Sequence, residues 1–236
     1  MYKLLIRGSE GSEVILLQKQ LVEEGFLKDH IDGIFGHKTA EALRKKIKRD
    51  WIAVDLHTDY IKGLLSDEVH FQALKRLTTP LEWQKGNFID SEVLGPFKPL
   101  LYSNKQILDH KDGRFSWFAA WVHYCTKQVS YPFPMRPKGH WGTFASVRAW
   151  KHAAELCNAY KEYHEAKPGD LVIFNWDNDS SDDHIGIFHE QRKDPESLVC
   201  LEGNASNAEA ARIRQWTQVS KLIDTNKLLA NVSTYA

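Results

Sequence analysis

Apolar residues recur along this chain in two rhythms, and the change from one to the other predicts its layout. From Ser12 onward Val14, Leu16, Leu17, Gln18 and Leu21 recur at spacings of three and four, which predicts a helix starting at Ser12 and ended by Gly25. A loop from Ile31 to Thr39 with two glycines leads to a second helix carrying Ala40, Ala42 and Leu43 on one side. Trp51 to Leu56 finishes this first module, and Ser66–Leu77 reads as a further helix with Val69, Phe71, Leu74 and Leu77 inward. The pattern dissolves from Thr78 to Leu100, where prolines and glycines punctuate Trp83, Phe88 and Phe97; this is a linker that packs against its neighbours. Helical spacing returns at Phe115–Gln128, with 115, 118, 121, 122 and 125 on one face and Pro132 beyond it, and again at Phe144–Tyr160. After Pro168-Gly169-Asp170 the rhythm changes to short apolar runs, Leu171–Phe174, Ile185–Phe188 and Leu198–Leu201, bounded by Gly, Asp or Asn. They predict neighbouring antiparallel strands.

Helices followed by sequential strands make an α+β order. The predicted fold is a small N-terminal helical bundle joined to a domain whose N-terminal helices pack on an antiparallel sheet. Its parts are residues 1–77, the bundle and the helix after it; 78–111, the linker; and 112–236, the domain expected to carry chemistry.

Composition narrows the function classes. With 42% apolar and 26% charged residues the chain is globular, and 31 basic against 31 acidic residues leave no basic stripe for phosphates, so nucleic acid is not an expected partner. The opening Met1-Tyr2-Lys3-Leu4-Leu5-Ile6-Arg7 is too short an apolar run for a signal peptide, and no stretch reaches the length of a membrane span. The expectation is a protein made in the cytoplasm, without membrane insertion. Cys125, Cys157 and Cys200 show neither disulfide nor metal spacing, and no cofactor or metal is expected. The acidic run Asp177-Asn178-Asp179 with Asp182 and Asp183 reads as a solvated hairpin turn in preference to a calcium loop.

Two stretches carry candidate chemistry. In the first module Arg7-Gly8-Ser9-x-Gly11-x-x-Val14-x-x-Leu17-Gln18-x-x-Leu21, then Gly25-Phe26-Leu27, then Asp32-Gly33-Ile34-Phe35-Gly36-x-x-Thr39, resembles the three-helix peptidoglycan-binding domain family over about forty residues. The resemblance implies peptidoglycan as a partner. Loops on a rigid scaffold carry polar contacts, which makes Asp32, Gly33, Phe35, Gly36 and Thr39 the candidate ligand-binding residues.

In the second stretch, His184 opens the middle strand and Glu202-Gly203-Asn204 closes the next. That pattern places a base near an orienting Glu202 or Asn204, as nucleophilic hydrolysis requires. Pro168-Gly169-Asp170-Leu171, Asp183-His184-Ile185-Gly186 and Leu201-Glu202-Gly203-Asn204 resemble the papain-like cell-wall amidases and endopeptidases, and among them the CHAP domains of endolysins and autolysins. The resemblance implies a cysteine at the start of the first helix, with His184 as base, cleaving an amide in peptidoglycan. One alignment of that helix puts the nucleophile at Phe115, the other at Phe118, and a benzyl group has neither an acidic proton nor a lone pair to attack with. Cys125 lies seven residues beyond Phe118, about 10 Å along a helix, and reads as a buried small hydrophobe. Ser116 points about 100° away from Phe118 and reads as a residue of the helix's first turn. The expected function is a peptidoglycan-binding hydrolase of endolysin or delivered-effector type with its nucleophile replaced. The alternative is an inactive wall-binding module that keeps the hydrolase fold. Either would act at the bacterial wall, and the sequence identifies no immunity or delivery partner.

Overall fold

The computed structural model describes residues 2–56, 64–78, 89–101, 116–130 and 132–236, and divides into two compact units, Met1–Tyr60 and Ile61–Ala236. Phe115, Trp83, Phe88 and much of the expected linker lie outside the described residues.

In the first unit β1 (Tyr2–Ile6), α1 (Ser12–Glu23), α2 (His37–Ile47) and β2 (Trp51–Asp55) follow one another. The expected N-terminal helices are present, and an antiparallel ladder running from Tyr2↔Asp55 to Ile6↔Trp51 closes them. The apolar, β-branched run at Trp51–Asp55 suits a pleated half-buried surface, and pairing it with the chain's start satisfies the backbone groups of both. Leu5, Val14, Leu17, Leu21, Leu27, Phe35 and Leu43 form the core, whereas Leu16 points to solvent. Gly25 ends α1 in the left-handed region at φ 78°, as its position suggested.

The second unit begins with α3 (Leu65–Leu77), followed by a π-turn at Ile89–Val93, a short 3-10 turn at Gly95–Phe97 and α4 (Lys98–Leu101). Two longer helices, α5 (Phe118–Lys127) and α6 (Val147–Leu156), precede the strands β3 (Tyr160–Lys161), β4 (Leu171–Phe174), β5 (His184–Gln191), β6 (Ser197–Glu202), β7 (Ala210–Gln215) and β8 (Val219–Ile223). The chain ends in α7 (Thr225–Ala230) and α8 (Val232–Tyr235). The sheet has the order β3-β8-β4-β5-β6-β7 and every pairing in it is antiparallel. The fold is α+β.

Helix α3, which the sequence attaches to the first module, packs in the second unit. Arg76 holds Glu209 through Nε and Nη2 at 3.0 and 3.2 Å, and Trp121 Nε1 of α5 donates to the same carboxylate at 3.0 Å. Near its other end, Ser66 exchanges hydrogen bonds with the Asn226 side chain of α7. Gly169 of the Pro-Gly-Asp turn (φ 91°) lets α3 approach, since a Cβ there would stand 1.8 Å from the Ser66 carbonyl oxygen. Between Phe188 and Glu190 a bulge in β5 shifts the register at His189. The Nδ1 of His189 lies 2.7 Å from Nε2 of His70 on α3, so one imidazole donates and the other accepts.

Candidate functional site

Three elements of the second unit converge on His184. Helix α5 starts at Phe118, with Trp117 as an N-cap that makes no side-chain capping bond, and Phe118 meets the His184 ring. His184 is the first residue of β5 and pairs with Phe174 of β4. The β5–β6 ladder includes Ile187↔Leu201, and one further step along it sets Glu202 opposite Gly186, on the same face as His184. Glycine is needed at 186, since a Cβ there would meet Cys200 Sγ at 2.4 Å and Glu202 Cγ at 3.1 Å. Absence of that side chain leaves room for the carboxylate to reach past it to the imidazole.

His184 Nε2 lies 3.0 Å from Glu202 Oε2. The approach is close but off the N–H direction, and Nε2 counts among the buried polar atoms without an aligned hydrogen bond. Glu202 is fully buried, and Arg214 of β7 grips it from the other side, Nε to Oε1 at 2.7 Å and Nη2 to Oε2 at 2.5 Å. Burial pushes the Glu202 carboxyl up, but the hydrogen-bonded Arg214 guanidinium, with His184 close by, outweighs it and holds the group below the usual glutamate range. The guanidinium also lies over Trp176 and Phe174, 5.2 and 5.7 Å from their ring centres.

Aromatic rings enclose the imidazole. Phe118 is half-buried with its ring centre 4.5 Å from that of His184, and Trp176, 45% exposed, stacks on the same ring at 5.4 Å. Phe118, at the start of α5, therefore packs directly against the imidazole. Asn204 turns into the left-handed region at φ 55°, and its side chain makes no hydrogen bond to His184; Glu202 is the residue beside the imidazole.

Other groups are placed elsewhere. Cys125 is completely buried, and burial, reinforced by the Glu209 charge, pushes its thiol well above the usual range, which suits a packing residue. Ser116 is exposed, ahead of the helix. The acidic run is an ordered turn: Asp183 Oδ2 accepts from Trp176 N at 2.6 Å, Asp182 pairs with Lys151 and Ser220, and Asp179 caps Ser181. Among the described residues no three His, Cys, Asp or Glu side chains are grouped to hold a metal. Among the tryptophans of this unit, Trp150 is core and donates to the Phe144 carbonyl, Trp141 is 80% exposed, and Trp176 lies beside His184. No helix among the described residues is long and apolar enough to cross a membrane.

In the first unit a buried amide organises the candidate ligand loop. Gln18 Nε2 donates to Asp32 Oδ1 at 2.8 Å, Thr39 Oγ1 at 3.1 Å and the Ile34 carbonyl at 3.1 Å, while its Oε1 accepts from Gly33 N at 2.9 Å. Asp32 Oδ1 also accepts from Ile34 N. Phe35 has no exposed surface and Thr39 almost none, and Gly36 is the N-cap of α2. Of the five sequence candidates, only the Asp32 carboxylate offers an exposed functional group.

Sequence reasoning assigned no role to Gln18 or Arg214. Gln18 was visible as a polar residue on an apolar stripe, a position that calls for buried partners. Nothing local marked Arg214, because its partner lies on the neighbouring strand.

Residues 111–204 match the family model of the CHAP domain, and residues 10–45 match that of a putative peptidoglycan binding domain. Arg214 lies beyond the matched segment. No curated protein and no solved structure matches the chain. Both domain types are those of cell-wall hydrolases, with peptidoglycan as the partner of the first. Phe118, His184 and Glu202 lie inside one matched segment and the Gln18 network inside the other, so the chain joins a segment matching a peptidoglycan-binding domain to one matching a CHAP domain.

Proposed function

We propose that this chain binds peptidoglycan through its first unit and that its second unit is a hydrolase scaffold used for recognition without amide cleavage. The observation that carries this reading is the Phe118 ring packed on His184 at 4.5 Å, at the first residue of α5. A thiol there would be favoured as thiolate by the helix N-terminus and would give its proton to the imidazole. Glu202 at Nε2 leaves Nδ1 as the nitrogen for that transfer. A benzyl group supplies neither proton nor electron pair, so no acyl intermediate forms on it. What remains is an aromatic surface of Phe118 and Trp176 around His184, suited to planar amide groups.

The competing reading, an active amidase or endopeptidase of endolysin or delivered-effector type, is supported by the retained contact between His184 and Glu202. Purified sacculi incubated with the wild-type chain separate the two. Retention in the pellet without soluble fragments is expected; fragments with new amine termini, lost in His184→Ala, would overturn the inactive reading. Phe118→Cys under reducing conditions is expected to release such fragments, and its inertness would count against a site lacking only the nucleophile.

A further inference from the structure

The first unit has a second candidate surface, away from the loop its motif points to. A groove of about 430 Å³ runs between residues 25–29, after α1, and the exposed side of α2, with Phe26, Lys28, Asp29, Lys38, Glu41 and Lys45 along it. Its size is that of a site for a small ligand, ~300–1,000 Å³. Lys38 and Asp29 pair across it at 2.9 Å, which fixes one wall. Lys28 and Lys45 have no ion pair among the described residues, nor has Glu41. Phe26 is 38% exposed and gives the groove an apolar patch.

We infer that this groove receives the peptide arm of peptidoglycan, a short chain bearing free carboxylates, an amine and alanine methyl groups. The inference rests on the peptidoglycan-binding reading and names the part of the polymer recognised. Two unpaired ammonium groups suit the carboxylates, Glu41 suits the amine, and Phe26 suits the methyls. A glycan stripped of its peptide offers only the muramic lactyl carboxylate, with neither the amine nor the alanine methyls. The Asp32–Thr39 loop is the poorer site: Gln18 already engages Asp32, Gly33, Ile34 and Thr39, and Phe35 is core. The polar groups there hold the loop's own shape.

The test uses the full chain. Affinity is measured for a soluble disaccharide-peptide fragment of peptidoglycan, for the same disaccharide without peptide, and for a phosphate-bearing wall polymer. The wild type is compared with Lys28→Gln/Lys45→Gln and with the control Lys19→Gln, on the exposed side of α1. All three proteins are first shown to share one thermal unfolding profile. The expected result is binding of the peptide-bearing fragment alone, weakened at least about tenfold in the double variant and by added salt, with the control unchanged. Equal binding by the double variant, equal binding of the peptide-free disaccharide, or preference for the phosphate polymer would overturn the groove assignment and leave the peptidoglycan-binding reading standing. Failure of the wild type to bind intact sacculi would remove both.

Discussion

In the first unit Gln18, Asp32 and Thr39 direct their hydrogen bonds at one another, whereas in the second His184 and Glu202 meet beside the half-buried Phe118 and the exposed edge of Trp176. Both sets belong to segments that match a family model. A match over a forty-residue module rests mostly on the residues that make so small a unit fold, because few side chains are left over once the core and its loop are secured. A match over a larger domain includes residues whose only common property is the point in space they share. Replacing one of those leaves the fold intact and changes the chemistry, which is the reading proposed for Phe118.

The comparison breaks if a motif residue of the first unit proves dispensable. Phe35→Ala empties the centre of its core and is expected to cost about 3–5 kcal/mol, enough to unfold so small a unit. Calorimetry of the full chain should show one transition lost and the other unchanged. In the second unit the corresponding test is Arg214→Met, which leaves the buried Glu202 without its bidentate partner. A loss of about 3 kcal/mol in unfolding free energy, read from denaturant titrations, is expected, partly recovered by Arg214→Met/Glu202→Met.

Acid sharpens the contrast. Burial holds His70 at about 4 and His189, with the added charge of His70, at about 3, both below the ordinary histidine value. The unfolded chain therefore takes up protons first: stability of the second unit is complete above about pH 6.5 and falls, by on the order of a few kcal/mol, as the pH drops towards 4. Urea midpoints across that range test this, and His70→Gln/His189→Gln should flatten the profile. Glu202 acts in the same direction at lower pH, its contribution being present above about 4.3 and lost as the pH falls through its depressed folded value. The smallest effect is expected for Thr39→Val, which removes one of the acceptors of Gln18 and should cost about 1 kcal/mol in thermal stability.

Much of this was legible in the chain. The helices near 12–23, 66–77 and 118–127, the three strands from Leu171 to Glu202 and the approach of His184 to the Glu202–Asn204 segment follow from periodicity, turn residues and motif order. The pairing of Tyr2–Ile6 with Trp51–Asp55 was not, since neither strand alternates clearly and their partnership spans the whole module. The place of α3 was equally hidden: its apolar stripe declares a helix with a buried face, and only Ser66 against Gly169 and Arg76 on Glu209 say against which unit.

Sequence alone determined the order of the two modules, the α+β class and the presence of phenylalanine at 115 and 118, because these depend on local patterns and residue identity. Tertiary structure decided that Phe118 faces the imidazole, that Glu202 and not Asn204 lies beside it, that Arg214 neutralises that carboxylate, and that Gln18 occupies the loop read as a ligand surface. Each of those depends on strand register and on which polar groups are left without water. Both are properties of residues far apart in the chain, and no local pattern records them.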